Sequence, residues 1–222
     1  MKTVAFMPIK LNNQRLSGKN TRMLRDKPLC QWALNELLEL KNDEAVEEVY
    51  VYCSDPKIED YLPNGVELLL RNPSLDHPHV QGNDIYRSFI AEVPADLYML
   101  HHATSPFVKV ETLYRCLTAV SSGKHDSALT VKEMHGRFWR NNAPVWHDLE
   151  TVGRTQDMTP VYFETEACYV FPPYLLEIYG RRVGFNPYLC PVDAKEAIDI
   201  DTRDDFELAQ CVAWPRYAST NG

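Results

Sequence analysis

The sequence has no Cys-x-x-Cys pair, no apolar run near the ~18 residues of a membrane-crossing helix, no basic excess and neither common glycine-rich phosphate motif. Each absence removes a class. The six cysteines, Cys30, Cys53, Cys116, Cys168, Cys190 and Cys211, are scattered through apolar periodic segments, which reads as reduced buried thiols and not as a zinc site or disulfide framework. The missing apolar run excludes a helical membrane span. A formal net charge of −8 argues against duplex nucleic acid or an anionic membrane as the main partner, because both reward a basic face. The start, MKTVAFMPIK, carries a short apolar run without a cleavage-site pattern; it reads as a first strand, and the cytoplasm is the default location. No repeat, low-complexity stretch or linker interrupts the 222 residues, so residues 1–222 are expected to form a single domain with a core large enough to need no staples.

What is present is an alternation. Thr3–Ile9 is a continuous apolar run, as in a strand buried on both faces. PLCQWALNELLEL then places Leu29, Trp32, Ala33, Leu37 and Leu40 on one helical face. Strands are expected at 46–54, 65–71, 96–106 and 126–134, with helices at 55–62, 83–93 and 110–123, the last stopping at Gly123. This βαβ pattern predicts an α/β fold: a Rossmann-like, doubly wound, mostly parallel sheet whose ligands sit beyond the carboxyl ends of the strands. Between 134 and 171 the pattern breaks into aromatic, turn-rich sequence, read as an antiparallel insertion whose exposed aromatics would serve a homodimer. A helix at 172–183, strand-like PYLCPV and AIDID, and a helix at 202–214 complete the chain.

Six cations, Lys10, Arg15, Lys19, Arg22, Arg25 and Lys27, stand against the single acid Asp26 just after the first strand. Asn12, Asn13 and Gly18 are turn-tolerant, so backbone N–H groups there can converge on an anion, and a following helix would add its positive end. Two or three phosphates suit this loop; the plain alternative is a solvated basic turn. It is not a P-loop, since Asn20 follows Gly18-Lys19 where a magnesium-binding hydroxyl should stand, and no Gly-x-Gly-x-x-Gly fingerprint occurs. Near the other end, alternation in Ile198-Asp199-Ile200-Asp201 turns both carboxylates to one side and both isoleucines into a core. Two carboxylates suit Mg²⁺ shared with substrate phosphates, although the same acids could merely cap a helix. A phosphate cradle with a carboxylate pair is equipment for nucleotidyl or phosphoryl transfer.

With these residues in place, the sequence resembles the cytidylyltransferases that activate acidic sugars such as sialic, legionaminic, pseudaminic and ketodeoxyoctonic acids. The likeness runs over nearly the whole chain: Pro8-Ile9-Lys10, Asn12-Asn13-Gln14-Arg15-Leu16, Gly18-Lys19-Asn20, DKPLCQWAL, Arg71-Asn72-Pro73, the LHHATSP stretch ending at Pro106, GRTQDMTPVYFETEACY, and Ile198–Ala209 without a gap. The resemblance implies the nucleotide-diphospho-sugar transferase type of fold, CTP and Mg²⁺, and attack of an anomeric hydroxyl on the α-phosphate with loss of pyrophosphate. It implies Lys19, Arg15 and Asp201 as catalytic residues and Lys10, Asn12, Asn13, Arg15, Lys19, Asn20 and Arg71 as nucleotide contacts. It further implies His102, Thr104, Ser105, Gln156 and Tyr169 on the acceptor side and Asp199 with Asp201 at the metal.

The departures from the family pattern are mostly on the acceptor side. Lys10 replaces an arginine, Asn13-Gln14 replaces Ser-Lys, His102 replaces a glutamine, Thr165-Glu166 replaces Asn-Gly, and Phe163 replaces an arginine suited to a sugar carboxylate. Arg154, Arg181 and Arg182 are the candidates to substitute for it. A non-catalytic nucleotide-binding relative, a cytidylyltransferase for a non-sugar acid such as a phosphonate, and an enzyme for another base remain open. In Asp76–His79, a plain loop is the reading preferred to a metal site.

Overall fold

In the computed structural model, which describes residues 1–13 and 15–213, the chain builds a seven-stranded sheet between two layers of helix. Gln14 and the end of the closing helix expected at Trp214 lie outside the described residues. Strand β1 (Thr3–Ile9) leads through the basic loop to a two-residue ribbon, β2 (Met23–Leu24) with β3 (Lys27–Pro28), and then α1 (Leu29–Asn42). Strands β4 (Glu48–Cys53) and β5 (Glu67–Leu70), helix α2 (Gly82–Glu92), β6 (Leu97–His101), α3 (Val110–Ser121) and β7 (Ser127–Met134) follow. A small ribbon, β8 (Phe138–Arg140) with β9 (Ala143–Val145), precedes the long β10 (Val161–Phe171). Helix α4 (Tyr174–Glu177), β11 (Pro187–Pro191) and α5 (Arg203–Ala213) close the fold.

The sheet order is β11-β7-β10-β6-β1-β4-β5, and β10 alone runs antiparallel to its neighbours. This is the doubly wound, mostly parallel sheet that the alternation predicted. The continuous apolar run of β1 is explained by its place: it pairs with β4 on one side and β6 on the other, with helices over both faces. One core layer packs Met7, Ile9 and Met99 against α1 and α3; the other packs Phe6, Leu100 and Tyr169 against α2 and α4. The strand order turns about β1, so the crevice beyond the ends of β1 and β6 is the switch point where such sheets take ligands.

Four local expectations are corrected. The buried face of α1 is Leu29, Cys30, Ala33, Leu34, Leu37 and Leu40, while Trp32 is half-buried and its Nε1 donates to the Leu24 carbonyl at 3.1 Å. The helix expected at 172–183 is only Tyr174–Glu177, because Gly180 takes φ +65° and turns the chain. AIDID forms no strand; the Ile200 N–H donates to the Thr104 carbonyl at 2.8 Å and pairs with no ladder. The segment 134–171 is not wholly an insertion, since Cys168–Phe171 pair with Tyr98–His101 in the middle of the main sheet. Only its earlier part, with β8, β9 and the outer half of β10, stands apart from the core, and it exposes Trp139, Trp146, Leu149, Val152, Tyr162 and Phe163.

Candidate active site

The first strand and the closing segment meet at one residue. Asp201 lies 2.8 Å from Lys19 Nζ through Oδ1 and 2.9 Å from Arg15 Nη1 through Oδ2. Lys19 is nearly buried, and this carboxylate is its ion-pair partner there. Asp201 is free for the contact because another acid takes up the capping of α5: Asp205 Oδ2 accepts the Thr202 N–H at 2.8 Å and the Asp201 N–H at 3.1 Å. Ile198 and Ile200 pack into a third apolar cluster with Leu24, Leu29, Phe107 and Phe206, which fixes the carboxylates on the opposite side.

Around this ion pair lies a cleft of about 470 Å³ lined by Lys10, Asn12, Asn13, Arg15, Leu16, Lys19, Asp76, Pro78 and Asp201. Three of the six loop cations face it. The others hold the scaffold: Arg22 lies over the Phe206 ring at 5.5 Å, Arg25 donates to the Ala213 carbonyl at 2.5 Å, and Lys27 lies over Trp32 at 4.7 Å. The helix expected directly after the loop is a single 3-10 turn, Lys19–Thr21, so side-chain charge and not a helix terminus dominates this cradle. Gly18 opens that turn with φ +62°, a conformation that a Cβ disfavours.

Sequence reasoning read Asp76 only as part of a plain loop, and the structure gives it a place in the cleft. Its carbonyl accepts Lys10 Nζ, its carboxylate accepts the Ser54 hydroxyl, and Arg71 Nη2 reaches Oδ1 at 2.5 Å. Burial pushes the Asp76 carboxyl up, but Ser54 and Arg71 outweigh it and hold the group below the usual carboxylate range. The only sequence signal was the short spacing between Arg71 and Asp76 across a proline-started turn.

Some expected contacts are brought to the cleft and some are not. Lys10, Asn12, Asn13, Arg15, Lys19 and Asp201 line it. Asn20 is buried and donates to the Lys10 carbonyl at 2.9 Å, and Arg71 is buried against Asp76 and the Tyr52 carbonyl, so both brace the loop from behind. Thr104 lies beside Asp199 and favours its charged form, and its carbonyl accepts the Ile200 N–H at 2.8 Å. Ser105 is buried beneath the same loop and presents no surface. Tyr169 is fully buried, with Arg182 stacked 3.9 Å over its ring, so it supports Arg182 and lines none of the clefts described. Gln156 is exposed in the turn Thr155–Asp157, outside the lining of every cleft described.

His102 lies in a smaller hollow of about 190 Å³ with Lys10, Arg71, Ile85 and Tyr86. Its Nδ1 lies 2.5 Å from the Glu166 carbonyl and its Nε2 3.1 Å from the Tyr86 hydroxyl. A carbonyl can only accept, so Nδ1 carries the proton and Nε2 accepts from Tyr86. Burial and then the charge of Arg182 push its pKa down to about 4, so the ring is neutral at pH 7. Arg182 completes the chain, donating to Tyr86 at 3.2 Å and to Tyr169 at 2.9 Å.

Asp199 and Asp201 were tested as a metal pair. Burial, and then the Asp201 carboxylate, raise the Asp199 pKa, with Thr104 opposing. A divalent cation would relieve that repulsion, and hard carboxylate oxygens are the donors Mg²⁺ takes together with phosphate oxygens. No group of three or more His, Cys, Asp or Glu forms a cage among the described residues, so a pair that shares its ion with substrate is the arrangement that fits.

Comparison with known proteins gives the family and the fold. A family model described as cytidylyltransferase matches residues 4–209. The chain is similar to the N-acylneuraminate cytidylyltransferases of Streptococcus agalactiae serotypes V and III, in each case 23% identical over 217 residues covering 93% of this chain and 52% of the relative. It therefore spans about half the length of the curated relatives it matches. Its fold is similar to that of a CMP:2-keto-3-deoxy-manno-octonic acid synthetase complexed with CTP, with TM-score 0.70, 14% identity, and 96% of this chain and 98% of that one covered. It is similar also to the 4-diphosphocytidyl-2C-methyl-D-erythritol synthase of Anaerococcus prevotii, with TM-score 0.64, 11% identity and 95% of each chain covered.

Proposed function

The chain belongs to the cytidylyltransferase family, and on that premise we propose that it transfers CMP from CTP to the hydroxyl of a small acidic sugar, with release of pyrophosphate. The observation that carries this reading is the meeting of Lys19 and Arg15 with Asp201 in a cleft that Lys10, Asn12 and Asn13 also line. Lys10, Asn12, Asn13, Arg15 and Lys19 would receive the triphosphate, and Asn20 and Arg71 would keep the loop in shape behind them. Asp199 and Asp201 would hold Mg²⁺, which when bound neutralises charge on the phosphate oxygens. In-line attack on the α-phosphorus asks little covalent chemistry of the protein; positioning and charge stabilisation carry the rate. Lys19 and Arg15 exchange a carboxylate for the leaving pyrophosphate, so no cation is left unpaired before or after the reaction.

His102 would position the acceptor and not act as its base, because its Nε2 is engaged by Tyr86 and its Nδ1 by Glu166. Thr104 would hold Asp199 at the reacting centre. We read the arm carrying Trp139, Trp146 and Phe163 as the face for a second copy, in which Gln156 would reach the partner's acceptor pocket.

The test is pyrophosphate release from CTP, ATP, GTP and UTP, each with N-acetylneuraminic acid and with 3-deoxy-manno-octulosonic acid. Turnover restricted to CTP with one of the acids, abolished in Asp201→Ala, is expected. Tight CTP binding without turnover with any acid would leave a nucleotide-binding protein and remove the enzyme.

A further inference from the structure

A second cleft, of about 430 Å³, lies between the first turn of α2 and the loop after α4. Gln81, Gly82 and Asn83 form one wall, Arg181, Arg182, Val183 and Gly184 the other, and Glu164 the rim. It adjoins the hollow of His102 through Tyr86, whose hydroxyl bonds both His102 and Arg182. That hollow in turn shares Lys10 with the phosphate cleft. The three hollows are thus neighbours, the first two joined at Lys10 and the last two separated by the Tyr86 side chain.

The arginines are held in opposite ways. Arg182 is fixed, with hydrogen bonds to Tyr86 and Tyr169, a 3.4 Å contact to Glu164 and the Tyr169 ring beneath it. Arg181 stacks 3.9 Å over the Phe185 ring, and its Nε and Nη2 are buried with no acceptor among the described residues. A guanidinium is always charged, and unpaired buried donors are costly. Turning Arg181 into the cleft therefore breaks no hydrogen bond and gains whatever acceptor an anion brings. The loop that carries both is itself fastened: Asp126 accepts the Phe185 N–H at 2.6 Å and the Asn186 N–H at 2.9 Å.

We propose that this cleft is the subsite for the acidic group of the acceptor, with Arg182 as the preset anchor and Arg181 as a second arm that turns in to make a bidentate, charge-assisted contact with a carboxylate. The proposal rests on the reading of the chain as an acid-activating cytidylyltransferase and adds the residues that select the acid. Phe163, exposed next to the rim residue Glu164, is outside the lining of this cleft.

Calorimetric titration tests it directly, with N-acetylneuraminic acid, 3-deoxy-manno-octulosonic acid and the methyl ester of each as probes, in the presence of CTP and of EDTA so that no transfer occurs during the titration. Wild type should bind at least one acid and prefer it to its ester by tenfold or more. Arg181→Gln and Arg182→Gln should each weaken the acid by tenfold or more, leave the ester and CTP within about twofold, and so erase the preference. The Arg181 side chain makes no hydrogen bond among the described residues, so its variant should fold as wild type does, and a melting curve checks both. Failure of wild type to bind either acid, or equal weakening of acid and ester, overturns the subsite. Binding that follows this pattern without any pyrophosphate release would remove the transfer reaction and keep the subsite.

Discussion

Lys19 Nζ and Asp201 Oδ1 stand 2.8 Å apart although 182 positions separate them in the chain. The contact joins the loop after the first strand to the segment before the last helix, and Arg15 reaches the other oxygen of the same carboxylate. On the proposed function, a polyphosphate entering the cleft would compete with Asp201 for these cations, which the ion pair already holds in place.

Asp201→Ala should lower the kcat/KM for pyrophosphate release at least 100-fold, about 2.7 kcal/mol of transition-state stabilisation. It should also destabilise the fold by about 1–3 kcal/mol in urea denaturation, since Lys19 is left nearly buried without its partner. Activity close to wild type would remove Asp201 from the reaction.

Chelation with EDTA should abolish turnover of wild type and added Mg²⁺ should restore it. In Asp199→Asn the Mg²⁺ concentration for half-maximal rate should rise, because one of two hard-oxygen donors is gone. An unchanged Mg²⁺ dependence in that variant would confine the metal to Asp201 and the phosphates.

Glu166 holds φ +57° at the bulge of β10, where a Cβ is disfavoured. Glu166→Gly should therefore raise stability by about 0.5–1 kcal/mol, measured as a higher urea midpoint at constant slope. Gly18→Ala, at φ +62°, should do the opposite by about 1 kcal/mol and raise the KM for CTP, since it moves Lys19.

Burial pushes His101 and His102 down to about 4, so between the ordinary histidine range and that value the unfolded chain binds protons that the folded chain refuses. Stability contributed by both rings is present above the ordinary value and is lost as the pH falls towards 4, at about 1.4 kcal/mol per unit of pKa shift for each ring. Asp199, raised, acts in the opposite sense, and Asp76, lowered, adds to the loss only in the carboxylate range. The urea midpoint should therefore fall from pH 7 to pH 5, and the fall should be shallower in His101→Asn and in His102→Asn. A midpoint independent of pH over that interval would contradict the buried neutral rings.

Much of the frame was legible. The apolar run of β1, the amphipathic pattern of α1 and the strand–helix alternation each follow from local periodicity, and periodicity reports burial directly. The alternating Ile198-Asp199-Ile200-Asp201 put both isoleucines against the third apolar cluster even though no strand forms, while Asp201 lines the cleft and Asp199 is outside its lining. The helix expected at 172–183 failed where Gly180 turns the chain, and 134–171 was over-extended because aromatic, turn-rich sequence does not reveal that Cys168–Phe171 pair inside the main sheet.

By itself the sequence determined the sheet class, the place of the basic loop at a strand's carboxyl end and the pair of acids near the far terminus, since these depend on neighbours close along the chain. Only the tertiary structure decided that three of six cations face the cleft, that Asn20, Arg71, Ser105 and Tyr169 support it from beneath, and that Arg181 and Arg182 share a second hollow. Burial and hydrogen bonding between residues far apart in sequence are set by which elements pack together, and no local pattern carries that information.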